Sequence, residues 1–115
     1  MELNKKKVLI VDDEVDYCNL LEIYFSMKKY EVQCCNSLKA FASLLDLFKP
    51  DILLLDNNLP DGSGWEIAQQ IVQQYPNIRL YLISAYTSSK DFNNDKENIK
   101  IWEKPISIDI LEEVF

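Results

Sequence analysis

A chain of 115 residues with 12 Lys+Arg, 19 Asp+Glu and a formal net charge of -7 has room for one domain, expected over 1–115. It lacks the basic surface that a nucleic-acid or anionic-membrane binder presents, and its 48% hydrophobic content excludes a disordered chain. With no His and only Cys18, Cys34 and Cys35, it excludes a disulfide framework, a Cys/His zinc site and any histidine-base mechanism; the cysteines read as small hydrophobes.

The run Lys7–Val11 is apolar and closed by Asp12 and Asp13, which predicts a strand buried on both faces. Its four apolar residues from Val8 are too few for a signal peptide or a membrane span, so a cytoplasmic chain is expected. Residues 15–28 change to helical spacing through Tyr17, Leu20, Leu21, Tyr24 and Phe25. A second strand is predicted over 30–35. Ser37 then caps a helix carrying Phe41, Leu44, Leu45 and Phe48, with Pro50 beyond its end.

A third strand over 51–55 leads into the turn-rich DNNLPDGSG. Helical spacing resumes over 65–75 and stops at Pro76, followed by a fourth strand over 79–83. The polar, Asn-rich stretch after Ser84 supports at most a short fourth helix at 88–92. A fifth strand over 99–102, a Lys104-Pro105 turn and a short helix with Ile108, Leu111 and Phe115 inward complete the chain. Strands alternating with helices imply an α/β, doubly wound, mostly parallel sheet with helices on both faces.

In such a sheet, ligands bind at the carboxyl ends of the strands, where strand order reverses. Asp12 and Asp13 follow the first strand, Asp56 the third, Ser84 the fourth and Lys104 the fifth. A single strand-end Asp is ordinarily a turn residue, and a Lys-Pro pair an ordinary surface turn; five polar groups at successive strand ends are more specific. Clustered carboxylates repel unless a hard cation such as Mg²⁺ sits among them. A carboxylate beside Mg²⁺, a lysine and a hydroxyl is suited to attack phosphorus and form an acyl phosphate.

The motifs VLIVDDE, PDILLLDNNLPDGSGWE, LISA and EKP give the chain its resemblance to the receiver domain of two-component response regulators. The resemblance implies a flavodoxin-like five-stranded sheet of order 2-1-3-4-5. It implies Asp56 as phosphoacceptor, Asp13 as a direct Mg²⁺ ligand, Asp12 as a ligand acting mainly through water, and the Asn58 carbonyl completing the protein's share. Ser84 takes the hydroxyl role and Lys104 pairs with the phosphoryl oxygens. The expected phosphodonor is the phosphohistidine of a sensor histidine kinase or histidine phosphotransfer protein, and the output is a switched contact with a downstream protein, without nucleic acid or membrane. Slow self-dephosphorylation by in-line water attack is also implied, modulated at Asn58 and Tyr86.

The pattern departs from the family at Ile101, where an aromatic is usual. The neighbouring Trp102 is expected on the opposite face, toward a partner surface. The family's usual Gly-Ala or Asp-Ala pair before the fifth strand is missing, and the final helix stops early. Met1 close before the first strand fits a natural N-terminus. A haloacid-dehalogenase-type phosphatase needs a second Asp where Asn58 stands, and a dinucleotide-binding loop needs more than Gly62 and Gly64. The alternative that remains is a receiver-like interaction module that is never phosphorylated.

Overall fold

The computed structural model describes residues 5–85 and 99–115. Five apolar runs form strands β1 (Lys7–Val11), β2 (Glu31–Cys35), β3 (Ile52–Asp56), β4 (Arg79–Ser84) and β5 (Ile99–Glu103). All pair in parallel, in the order β2-β1-β3-β4-β5. Strand order reverses between β1 and β3, so the crevice of the doubly wound sheet opens above Val11 and Asp56.

Helices α1 (Val15–Met27) and α4 (Ile108–Val114) cover one face of the sheet; α2 (Leu38–Phe48) and α3 (Gly64–Gln74) cover the other. Strand alternation divides the core accordingly. Leu9, Leu53, Leu55 and Leu82 meet Phe41, Leu45 and Ile71, whereas Val8, Ile10, Leu54 and Ile83 meet Leu21, Phe25 and Leu111. The Ser37 hydroxyl accepts the Ala40 N–H at 3.1 Å, the expected cap of α2. Lys49 ends that helix in the left-handed region at φ 55.

Several expectations need correction. The third strand starts at Ile52, one residue late, because Asp51 lies at its entry with its carboxylate accepting the Lys7 N–H at 2.9 Å. The turn segment after Asp56 contains a two-residue antiparallel ladder, Asn58–Leu59 with Gly62–Ser63, that no apolar pattern announced. Leu20 is 59% exposed and Ile108 55% exposed, so neither belongs to the core face of its helix. In α1 the inward residue is Cys18, on the same side as Leu21 and Phe25.

Ile101 and Trp102 do take opposite faces, in unbroken register with Leu82 and Ile83. Trp102, however, is half-buried against Tyr81, with ring centroids 4.5 Å apart, and against Phe115. It is a core-edge ring and not a free surface probe. The short helix expected at 88–92 lies outside the described residues. Among the described residues, no helix is long and apolar enough to cross a membrane.

Phe25 is fully buried and packs edge-on against Tyr24, Tyr30 and Phe115. Phe25→Ala is therefore expected to cost about 3–5 kcal/mol in urea unfolding, and Leu20→Ala within about 0.5 kcal/mol. Equal losses at the two positions would mean that α1 is rotated relative to this description.

Candidate functional site

The Asp12 and Asp56 side chains emerge where β1 and β3 end beside one another. Burial leaves Asp12 2% and Asp56 4% exposed. Asp13, the next residue, is exposed, yet the three residues each bring a carboxylate oxygen within 4.8 Å of the others. One half-buried lysine supplies the countercharge. Lys104 Nζ lies 2.9 Å from Asp12 Oδ2, 3.2 Å from Glu14 Oε1 and 3.5 Å from Asp56 Oδ2.

Backbone donors hold the remaining carboxylate oxygens. Asp12 Oδ1 accepts the Glu14 N–H at 2.9 Å and Asp56 Oδ1 accepts the Asn58 N–H at 3.2 Å. Burial pushes the Asp12 carboxyl above its ordinary value, with Lys104 pulling the other way. Asp56 is pushed up to about 6, by burial first and also by the Asp12 charge, against the Asn58 N–H and Lys104. Burial disfavours the Lys104 ammonium, but the hydrogen bond and charge of Asp12, with Asp56 and Glu14, outweigh it and raise its pKa.

Ser84 is buried at the end of β4, and its carbonyl accepts the Lys104 N–H at 2.9 Å, so the fourth and fifth strand ends are tied together. Asn58 stands at the rim with its N–H on Asp56. The structure thus brings Asp12, Asp13, Asp56, Asn58, Ser84 and Lys104 to one edge. Tyr86 lies outside the described residues.

Sequence reasoning missed the groups that hold this edge in place. Tyr17, counted as a core residue, sets its ring 5.1 Å from Lys104 Nζ and accepts the Ile106 N–H on its hydroxyl at 3.2 Å. Glu14 was read only as part of a motif. The loop after Asp56 is pinned by Asn57, whose Oδ1 accepts the Trp65 N–H at 2.9 Å and the Ser63 hydroxyl at 3.2 Å. Asp61 reaches the start of α2, taking the Leu38 and Lys39 N–H groups at 2.9 and 3.0 Å, which holds its carboxyl below the usual range. A Cβ at position 64 would collide with the Asp56 carbonyl oxygen, so Gly64 allows α3 to start against the strand end.

The model of the response regulator receiver domain matches residues 8–113. The chain belongs to that family. Among relatives, it is 32% identical over 107 residues to sporulation initiation phosphotransferase F of Bacillus subtilis, covering 90% of this chain and 86% of that protein. It is 38% identical over 86 residues to the response regulator protein PilR of Pseudomonas aeruginosa, covering 75% of this chain but 19% of PilR. The receiver therefore spans a small part of that longer relative. The response regulator TrrA of Thermotoga maritima, solved in complex with Mg²⁺ and BeF, superposes with a TM-score of 0.74 at 25% identity, covering 94% of each chain.

The raised Asp56 pKa has a thermodynamic consequence for the metal-free receiver. The folded state binds the Asp56 proton more tightly than the unfolded chain, so this contribution to stability is present below pH 3.8 and is lost as pH rises through about 6. Lowering the pH from about 7 to about 5 is expected to stabilise the metal-free protein by about 1 kcal/mol through this group. Asp56→Asn removes that part of the pH dependence in urea titrations. A wild-type stability that falls over the same interval, with the same slope in the variant, would refute it.

Proposed function

We propose that this receiver accepts a phosphoryl group on the Asp56 carboxylate from the phosphohistidine of a sensor histidine kinase or histidine phosphotransfer protein. The observation that carries the reading is the placement of two buried carboxylates around one lysine ammonium, with a third carboxylate at the rim. A static ion pair would need one acid per base; here three carboxylates face Lys104, an excess of negative charge suited to a divalent cation.

The donor set fits Mg²⁺: all oxygens, no sulfur or nitrogen. Asp12, Asp13, Asp56 and the Asn58 carbonyl would hold it, and the ion, when bound, supplies positive charge against the phosphoryl oxygens. Asp56 attacks phosphorus, the P–N bond to the donor imidazole breaks, and the electron pair leaves with that ring. Lys104 exchanges a carboxylate partner for a phosphoryl oxygen, and Ser84 offers its hydroxyl from the end of β4. The similar response regulator TrrA was solved with Mg²⁺ and BeF bound, which supports Mg²⁺ and a phosphoryl group as the ligands of this fold's acidic edge. Slow hydrolysis of the acyl phosphate returns the domain to its starting state.

Family membership implies a phosphodonor protein and a downstream effector. For the donor we favour the outer side of α1. Val15, Leu20, Ile23 and Met27 are all more than half exposed there, and the stripe starts next to Glu14 at the rim of the carboxylate pocket. A protein delivering a phosphoryl group to Asp56 has to cover that rim.

With Mg²⁺ and a small acyl or amidophosphate donor, intact mass is expected to show one phosphoryl adduct that Asp56→Asn abolishes. An unphosphorylated interaction module would show none in the wild type, and labelling that survives in Asp56→Asn would move the acceptor elsewhere. Millimolar Mg²⁺ is expected to raise the melting temperature by about 5 °C, through binding to the folded state alone. Asp13→Asn should weaken that response about tenfold in Mg²⁺ concentration; a wild type indifferent to Mg²⁺ would contradict the site.

A further inference from the structure

Among the described residues outside the carboxylate pocket, a second chemistry-bearing cluster is a pair of thiols between α1 and β2. Cys34 packs against the buried cluster that contains Cys18, on the α1 side of the sheet. Cys34 Sγ also donates to the Cys18 carbonyl at 3.3 Å, which places the strand thiol against the helix backbone. Cys18 is buried, whereas Cys34 is half-buried. Cys35, adjacent in sequence, points to the opposite face of the sheet among Phe41 and Leu45 and has no part in the pair.

The same thiol touches the functional edge. Cys18 Sγ donates to the Asp12 carbonyl at 3.5 Å, and Asn36 Nδ2 donates to that carbonyl at 2.7 Å while lying 3.7 Å from Cys18 Sγ. The Asp12 N–H in turn donates to the Cys35 carbonyl at 3.0 Å. The end of β2 and the first turn of α1 together hold the backbone of the residue whose carboxylate faces Lys104.

We propose that Cys18 and Cys34 are a modification site: under peroxide they form an intramolecular disulfide that joins α1 to β2 and weakens cation binding at Asp12. Peroxide oxidises one of the two thiols to a sulfenic acid, releasing one water. The sulfur of the other then attacks the sulfenic sulfur, the S–S bond forms, and the sulfenic oxygen leaves as a second water with the attacking thiol's proton. Two thiols lose two electrons, and one peroxide is reduced to two waters. A dithiol reductant reverses the bond by exchange. The bridge draws Cys18 Sγ toward Cys34 and removes its proton, so the Asp12 carbonyl loses one of its two side-chain donors. The effect on cation binding rests on the proposed Mg²⁺ site; the bridge itself does not.

Treatment of the reduced full chain with hydrogen peroxide should lower its intact mass by about 2 Da, reversibly with dithiothreitol. Peptide mapping should link Cys18 to Cys34 and leave Cys35 alkylatable. Cys34→Ser should abolish the loss of mass and Cys35→Ser should retain it. Calorimetric titration with Mg²⁺ should give about threefold weaker binding for the oxidised chain. A bridge that includes Cys35, a bridge between two chains, or oxidation that adds oxygen without loss of two hydrogens overturns the site. A Cys18–Cys34 bridge with unchanged Mg²⁺ affinity overturns its coupling to Asp12. A reduced chain that binds no Mg²⁺ refutes the cation reading, and the mass and peptide map still decide the disulfide.

Discussion

Two carboxylates are buried beside one another at the ends of β1 and β3, and the ammonium of Lys104 keeps that arrangement compatible with a folded chain. Moving a carboxylate out of water costs several kcal/mol when it has no partner, on the order of the whole stability of a small domain. Lys104 reaches both Asp12 and Asp56, and the Asn58 and Glu14 N–H groups occupy the other oxygens. The compensation is incomplete, since Asp56 still holds its proton up to about pH 6. A site left short of positive charge in this way is suited to take up a cation, and to favour an anion over empty space once that cation is present.

The sheet is the device that makes this crowding unavoidable. Parallel pairing of Val11 with Leu55 and of Asp56 with Ile83 fixes the strand ends at one level, and complete burial of β3 leaves no slack for a one-residue slip, which would turn Leu53 and Leu55 to the other face. Asn57 and Gly64 then fold the loop back so closely that α3 begins on the Asp56 carbonyl. Asp61 continues the connection to α2. The acidic edge is thus built into the core's own register, with the side-chain bonds of a single loop securing it.

The strands were legible because burial on both faces produces continuous apolar runs, and the strand-end acids were legible because they interrupt those runs. Helix α1 was harder to read. Apolar residues stand on both of its sides, with Cys18, Leu21 and Phe25 inward and Val15, Leu20, Ile23 and Met27 outward, so spacing alone could not choose the core face. Glu14 and Tyr17 could not be recognised, because what they hold is far along the chain: Lys104 is 90 positions from Glu14, and Ile106 is 89 from Tyr17. Trp102 was placed on its correct face, but its cover comes from Tyr81 and Phe115, a contact that no local pattern encodes.

These long-range contacts converge on α1. Its first turn meets Lys104 through Glu14 and Tyr17, and Cys18 meets the Asp12 carbonyl. Near its last turn, Tyr24 donates to Glu112 Oε2 at 2.6 Å and Lys28 lies 3.3 Å from the same carboxylate, joining it to α4. A helix of 13 residues is a stiff rod about 20 Å long, so a change in where Lys104 is held acts at one end of a lever whose other end is fastened to α4. The opposite face of the sheet is connected differently: Ile101 is half-buried there against an apolar cluster, whose contacts carry no direction comparable to an ion pair or a hydrogen bond. Among the described residues, α1 therefore adds directional contacts at both ends of the path from the acidic edge to the C-terminal helix, beside the direct chain connection from Lys104 to Ile108.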